Sequence, residues 1–215
     1  ELYNPGFRLY RSKKKDQFDY EWESIFQFGK SRATNSVTDT KDLNHFAHFH
    51  HAEIGYTFSV AWSPRLVLAY DYASGDSKPN DGENGRFDTL FGATVFDYGP
   101  TSIHRAFIRS NISGPGIKFV FFPHKHLFAY LHYRAFWLAS DTDIWTGNSD
   151  LRNRTGNSNA FLGQQLFLRA RWQAIGNAQL EGGLAYRIDG DFQDTAPGAP
   201  KGNTIYSYLS ATLSF

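Results

Sequence analysis

The chain of 215 residues contains no cysteine, no methionine and no long apolar run. The absence of cysteine excludes a disulfide framework and thiolate chemistry. The longest apolar runs, at 66–70 and 119–122, are far shorter than the roughly 20 residues of a membrane-spanning helix, so we expect no such helix. The net charge of +1 argues against a nucleic-acid-binding protein. Because the chain begins at Glu1 and lacks methionine, we expect a longer precursor with a signal peptide.

Aromatic residues are abundant, at 17% of the chain, and apolar residues alternate with polar ones near the C-terminus. One face of the last strand carries Ile205, Leu209 and the terminal Phe215, whereas the other carries small polar residues such as Ser210 and Thr212. A strand that is apolar on one face, polar on the other and ends on an aromatic residue is typical of bacterial outer-membrane barrels.

The same alternation recurs along the chain, and charged residues keep almost entirely to one face of each segment. At 65–73, for example, Leu66 and Leu68 oppose Arg65 and Asp71. The other alternating segments are 16–29, 126–139, 161–174 and 179–188. A soluble sandwich also alternates, but repetition over most of the chain favours a barrel. We therefore predict an all-β fold, an antiparallel transmembrane β-barrel forming a single domain over 1–215.

The connections between these segments are of two kinds. Short turns at 12–15, 62–64, 123–126 and 175–178 alternate with long polar loops at 30–43, 75–102, 140–158 and 189–203. Because barrels have short periplasmic turns and long extracellular loops, this alternation predicts nine strands. Their ranges are 5–11, 16–29, 44–61, 65–74, 103–122, 126–139, 159–174, 179–188 and 203–215.

Two features of this strand count bear on the whole barrel. Gly and Pro residues at 113–116 predict a bulge inside the fifth strand, and a turn there would raise the count to ten. A complete single-chain bacterial barrel has an even number of strands with both ends in the periplasm. An odd count therefore predicts that the chain is the C-terminal part of a larger barrel.

Several motifs resemble those of the alginate-export family of outer-membrane porins. They are FDYEWESIFQFGKS at 18–31, GYTF at 55–58, Pro64-Arg65, YDYASGD at 70–76, Asp81-Gly82, FDTLF at 87–91, Ser110-Asn111-Ile112 and FLGQQ at 161–165. This resemblance extends from about residue 7 to the end of the chain. It implies an eighteen-stranded monomeric barrel in the outer membrane of a Gram-negative bacterium, with an Arg-rich, anion-selective pore. It also implies contact with outer-membrane lipid and with the barrel-assembly machinery through the C-terminal strand.

Alternation places many charged side chains on the predicted lumen face. The cations are Arg8, Arg65, Arg105, Arg109, Lys118, Arg134, Arg169, Arg171 and Arg187, and the acids are Asp19, Glu21, Glu23, Glu53, Asp71 and Glu181. Arg105 and Arg109 lie far from the short turns, which predicts an outer vestibule. A guanidinium binds carboxylates through a planar fork, and rings of Arg or Lys select anions in pores.

Four of these arginines lie on three consecutive predicted strands within the membrane zone: Arg134, Arg169, Arg171 and Arg187. We expect them to form one basic patch, because the acids of the second to fourth strands lie on a different arc of the wall. The alternative is that each arginine pairs with an acid and only fills a polar interior.

Other chemistry is weakly indicated. Asp76, Asp81 and Glu83 could hold Ca²⁺ in a long loop, but their spacing does not match a calcium-binding loop and a solvated turn explains them. His48 and His50 share a face, which makes a zinc site conceivable, and His132 could act as a general base. We expect no other cofactor.

Three functions compete. The first is a passive, anion-preferring export porin for an acidic polysaccharide such as alginate. The second is an outer-membrane barrel enzyme resembling a protease or lipase, and the third is a plugged structural barrel. The lumen face is rich in Arg and lacks a His/Asp/Ser cluster, so we predict a porin without catalytic activity.

Overall fold

One antiparallel sheet carries most of the chain in the computed structural model, which describes residues 1–34, 36–78, 80–90, 98, 106–146, 151–199 and 201–214. The strands are β1 (Leu2–Tyr3), β2 (Gly6–Arg11), β3 (Gln17–Ser31), β4 (Leu43–Thr57), β5 (Arg65–Ala73), β6 (Glu83–Asn84), β7 (Ile112–His124), β8 (Leu127–Trp137), β9 (Phe161–Ile175), β10 (Ala178–Asp189) and β11 (Thr204–Leu213). A single short helix, α1 (Asp191–Thr195), lies between β10 and β11 within this described part.

The sheet is a meander in which each long strand pairs with the next. Its order is β1-β3-β4-β5-β7-β8-β9-β10-β11, with β2 also on β3 and the two-residue β6 parallel to β4. β1 and β2 continue one another in the same register on β3, as the pairs Leu2↔Gly29 and Gly6↔Ile25 show. Only Asn4 and Pro5 interrupt them, and proline has no N–H for the ladder. The prediction of about nine meandering strands is therefore confirmed.

The two kinds of connection lie at opposite ends of the strands. Short turns follow β2, β4, β7 and β9, and long loops follow β3, β5, β8 and β10. We call these the short-turn end and the long-loop end. In the part of the chain that the structure describes, β11 does not pair with β1 or β2, so the sheet is open.

The two sheet faces differ as the alternation predicted. On β5, Leu66, Leu68 and Tyr70 are exposed, whereas Arg65 and Asp71 on the opposite face are buried. We call the face of Arg65 and Asp71 the inner face and the opposite face the outer face. Apolar residues recur along the outer face on nearly every strand, and a continuous apolar surface of this kind suits hydrocarbon rather than water.

The predicted fifth strand, 103–122, differs from the structure at its start and at its expected bulge. β7 begins only at Ile112, and residues 106–111 instead lie against the inner face, with Asn111 in the left-handed region at φ 48°. Residues 103–105 of the predicted strand lie outside the described residues. The expected bulge at 113–116 is wrong, because β7 pairs with β5 from Ile112↔Ala73 to Val120↔Arg65 without a register shift.

The glycines of this segment serve packing. A Cβ at Gly114 would lie 3.0 Å from the Phe136 ring, and a Cβ at Gly116 would lie 2.8 Å from Cγ of Arg134. Two large side chains of β8 therefore lie flat across β7 because the strand beneath them has no side chains there.

A hydrophobic core occupies the inner face toward the long-loop end. The strands contribute Phe49, Ala73, Ile112, Phe136 and Leu162. The long loops and α1 contribute Phe87, Tyr98, Phe107, Trp145 and Phe192. Phe107 stacks on Phe136 with ring centroids 3.9 Å apart, and the Trp145 indole donates a 2.7 Å hydrogen bond to the Ala106 carbonyl. The long loops therefore fold onto the inner face at this end.

No helix among the described residues is long and apolar enough to cross a membrane.

The outer face yields a stability prediction. Leu168 lies on the outer face of β9, and Leu168→Arg should destabilise the folded protein in a bilayer by about 2–4 kcal/mol, the cost of a lipid-facing cation near the midplane. Leu168→Phe, which stays apolar, is the matched control. Urea unfolding in phospholipid vesicles measures the difference. Equal stability of the two variants would contradict a lipid-facing outer surface.

Candidate functional site

A cavity of about 820 Å³ lies on the inner face, between the first short turn and the inward-folded loops. Eight cations line it: Lys13, Lys14, Lys15, Arg65, Arg109, Lys118, Arg134 and Arg169. Among the described residues, only three carboxylates line it, those of Glu23, Glu53 and Asp71. Aromatic rings of Phe49, Tyr98, Phe122, Phe128 and Tyr130 complete much of the wall. The cavity is therefore strongly basic and rich in flat apolar surfaces.

The most buried charges of this wall meet at Asp71. Arg134 donates to one oxygen of Asp71, and His51 Nδ1 lies 2.7 Å from the other. Arg134 is only 4% exposed, donates a 2.9 Å hydrogen bond to the Gly114 carbonyl and packs 4.7 Å from the Tyr98 ring centroid. A buried charge is tolerated only when it is paired in this way.

Other cations of the inner face are also paired with an acid, in each case across an intervening strand. Arg65 of β5 reaches across β4 to Asp19 of β3, and Lys118 of β7 reaches across β5 to Glu53 of β4. The Lys118 Nζ to Glu53 Oε1 distance is 2.9 Å. A Cβ at Gly55 of β4 would overlap the Arg65 guanidinium, so the glycine opens the crossing.

The predicted patch of four arginines is not a single surface. Arg134 pairs with Asp71, Arg169 with Glu181 at 2.5 Å, and Arg187 with Asp189 at 2.9 Å. The expectation that acids lie too far around the wall is wrong for Arg134, because its side chain spans the intervening β7. The alternative of paired arginines therefore describes three of the four. For Arg169 the arrangement includes Tyr208, whose hydroxyl donates to Glu181 at 2.7 Å.

Arg171 is the exception. Its side chain is exposed, packs 5.1 Å from the Phe128 ring centroid and has no carboxylate within ion-pair distance among the described residues. It lines a separate pocket of about 360 Å³ near the short-turn end, together with Lys125 and His126.

The remaining predicted lumen residues take several positions. Arg109 does not form an outer vestibule: its loop folds inward, its guanidinium lies 5.5 Å from the Phe49 ring centroid, and it lines the main cavity. Arg105 lies outside the described residues. Glu23 lines the cavity, whereas Glu21 pairs with Arg8 at 2.7 Å in an exposed position.

The three residues proposed for Ca²⁺ do not converge. Asp76 and Glu83 line a pocket of about 430 Å³ between long loops, whereas Asp81 accepts a hydrogen bond from the Glu83 backbone N–H at 2.9 Å and does not line it. The described residues contain no group of three or more acidic, His or Cys side chains placed to hold a metal ion. Burial and the nearby Asp143 carboxylate raise the pKa of Asp76. The geometry therefore gives no support to calcium at these residues.

The histidines singled out in the sequence lie apart. His48 and His50 are on the outer face, where His48 Nδ1 lies 3.0 Å from His50 Nε2 and Ser24 Oγ lies 2.8 Å from His50 Nδ1. His132 lines the main cavity beside Gly116 and the cations of β7 and β8.

Sequence reasoning missed two parts of this region. Lys13–Lys15, which the sequence assigned only to the short turn at 12–15, line the cavity. Asp143, in a loop without periodicity, is fully buried and accepts from Arg86 Nε and the Asp76 N–H, both at 2.8 Å. Glycines on the inner face, as at Gly55 and Gly116, were the one signal in the sequence for the crossings.

A family model described as alginate export matches residues 1–207. The chain belongs to the alginate-export family. The resemblance inferred from its motifs is thereby confirmed. This is a family of outer-membrane β-barrels of Gram-negative bacteria, and it is a transport family rather than an enzyme family. The all-β sheet agrees with it, and membership supports a role in export of alginate or a related polysaccharide across the outer membrane. No curated protein matches the chain.

The buried ion pairs of the inner face yield a second prediction. Asp71→Asn keeps the shape of the side chain but leaves buried Arg134 without its counter-charge, so the free energy of unfolding should fall by about 3–5 kcal/mol. Glu21→Gln is the control, because its pair with Arg8 is exposed and should be worth at most about 1 kcal/mol. Urea titration of both variants measures this, and similar losses would show that the Asp71 pair is not desolvated.

Proposed function

We propose that the inner face forms part of the path by which an anionic polysaccharide, such as alginate, passes through an outer-membrane barrel. The observation that carries this proposal is the cavity wall, where eight described Lys and Arg residues face three described carboxylates on a sheet with an apolar outer surface. A uronate polymer carries one carboxylate per sugar. Such a wall would lower the free energy of that chain in the pore and raise that of a cation.

The paired and the unpaired cations would contribute differently. Arg65, Lys118 and Arg134 hold neighbouring strands together, and their charges are largely offset by their partners. Lys13, Lys14 and Lys15 are exposed at the short-turn end and make no ion pair with another described residue. We infer that these lysines, with Arg171, attract the polymer at the periplasmic mouth.

The aromatic residues of the cavity would supply weak contacts with sugar rings. Tyr130, Phe128 and Phe122 line the cavity beside Arg169 and Lys118. A flat ring offers apolar surface to the C–H face of a sugar without holding it in one orientation. Weak contacts at several sites allow a polymer to enter and to leave, whereas one tight site would stall it.

A plugged structural barrel is the second candidate, because the long loops cover the inner face at the long-loop end. Gln165 donates a 2.6 Å hydrogen bond to the Tyr98 carbonyl, and Gln27 exchanges two hydrogen bonds with the backbone of Asp88 at 2.7 and 2.8 Å. These contacts fix the loops on the wall. Planar-bilayer recording separates the two candidates, since an open channel conducts and a plugged barrel is silent.

The lysines of the short turn yield the selectivity prediction. Changing Lys13, Lys14 and Lys15 together to Gln should reduce anion preference, seen as a shift of the reversal potential toward zero in a salt gradient. The effect should weaken at high ionic strength, because these charges are exposed. Lys201→Gln, which removes an exposed charge between β10 and β11, is the control and should change little. An unchanged reversal potential in the triple variant would remove the short-turn lysines from the mechanism.

A further inference from the structure

We propose that the pocket of about 430 Å³ between the long loops is a binding site for an acidic sugar. This inference rests on the proposed function, because it assigns to that path a last contact at its long-loop end. The pocket walls come from three loops, those after β3, β5 and β8. Its volume falls within the range of small-molecule sites, about 300–1,000 Å³.

Arg152 gives the pocket a fixed donor. Its Nε donates a 2.8 Å hydrogen bond to the Thr142 carbonyl, which holds the guanidinium in one orientation. Its Nη2 is buried and has no hydrogen-bond acceptor within the described residues. A guanidinium held on one edge with a free N–H on another is suited to bind an incoming carboxylate.

Asp143 forms an ion pair with this donor but accepts no hydrogen bond from it. Asp143 is fully buried, and its carboxylate already accepts from Arg86 Nε and from the Asp76 backbone N–H. The Arg152 Nη2 lies 3.8 Å from Asp143 Oδ1, which is beyond hydrogen-bond distance. Arg152 therefore keeps donor capacity for a ligand.

Further cations and acceptors surround it. Arg154 and Lys41 line the same pocket, are exposed and make no ion pair with another described residue. Asp39, Asp76 and Glu83 line it as well, and they offer carboxylate oxygens to donors. A wall with both signs of charge fits a ligand that has one carboxylate and several hydroxyl groups. A compact phosphate ion would be repelled by the acids of the pocket, and Ca²⁺ would be repelled by its arginines.

The site can be probed locally because the chain has no cysteine of its own. Ala33 lines the pocket, so a single Ala33→Cys provides one reactive thiol there, and Asn157→Cys, on an exposed loop position outside the pocket, provides the control thiol. The rate of maleimide modification is measured on the full protein in detergent with increasing tetramannuronate. We expect protection of Ala33→Cys and none of Asn157→Cys.

The arginine variants test the assignment in the Ala33→Cys background. Arg152→Gln should raise the tetramannuronate concentration needed for half-maximal protection by about tenfold or more, because a charge-assisted hydrogen bond is lost. Arg154→Gln changes only an exposed side chain and should also weaken it without affecting the fold. Arg32→Gln, which breaks an exposed pair with Asp42 outside the pocket, should leave protection unchanged.

Three results would overturn the proposal. They are protection that survives both arginine changes, equal protection by a neutral tetrasaccharide, and protection that disappears when Ca²⁺ is chelated. Anion selectivity recorded on the same preparations tests the export path separately. A silent channel with intact, arginine-dependent protection would overturn the proposed function but leave a sugar site in the loops. A selective channel without protection would overturn the sugar site in the loops but leave the proposed function.

Discussion

The structure depends on ion pairs that cross a strand. Arg65, Lys118 and Arg134 each reach over the neighbouring strand to an acid on the strand beyond it. Neighbouring strands lie about 4.8 Å apart, so the two charged side chains together must span nearly 10 Å. Gly55 and Gly116 leave room for the crossing side chains of Arg65 and Arg134, whereas Lys118 crosses β5 beside Val67 and Ala69. The same pairs remove unpaired charge from the buried part of the wall.

Alternation in the sequence was sufficient to predict the faces, eight of the nine strand positions and the two kinds of connection. The period of two decides which side of a sheet each residue occupies, and the placement of Leu66 and Arg65 on opposite faces follows directly. Alternation cannot say which residues of different strands meet, because that depends on register. The pairing of Arg134 with Asp71 was therefore missed, although both residues were assigned to the correct face.

The inward fold of the loops lay beyond sequence reasoning for a different reason. Phe87 and Trp145 belong to segments without any period, and Phe107 falls in the predicted fifth strand, so nothing in the sequence marks these residues as packed under the loops. Their burial comes from the shape of the wall, where Phe136 and Leu162 offer an apolar patch on an otherwise polar face. The outcome divides the inner face into an apolar half under the loops and a basic half near the short turns. The function therefore depends on this division of the inner face and not on a uniform ring of arginines.

The strand-crossing pairs also bear on how such a sheet can be assembled. A hairpin of β4 and β5 leaves Glu53 without Lys118 of β7 and Asp71 without Arg134 of β8, although His51 of β4 already contacts Asp71. The smallest unit with balanced charges is therefore at least three strands wide, and a strand that has docked on one neighbour alone is still electrostatically incomplete. Insertion of this wall should consequently be cooperative over several hairpins, with each new strand neutralising an acid left behind by one inserted earlier.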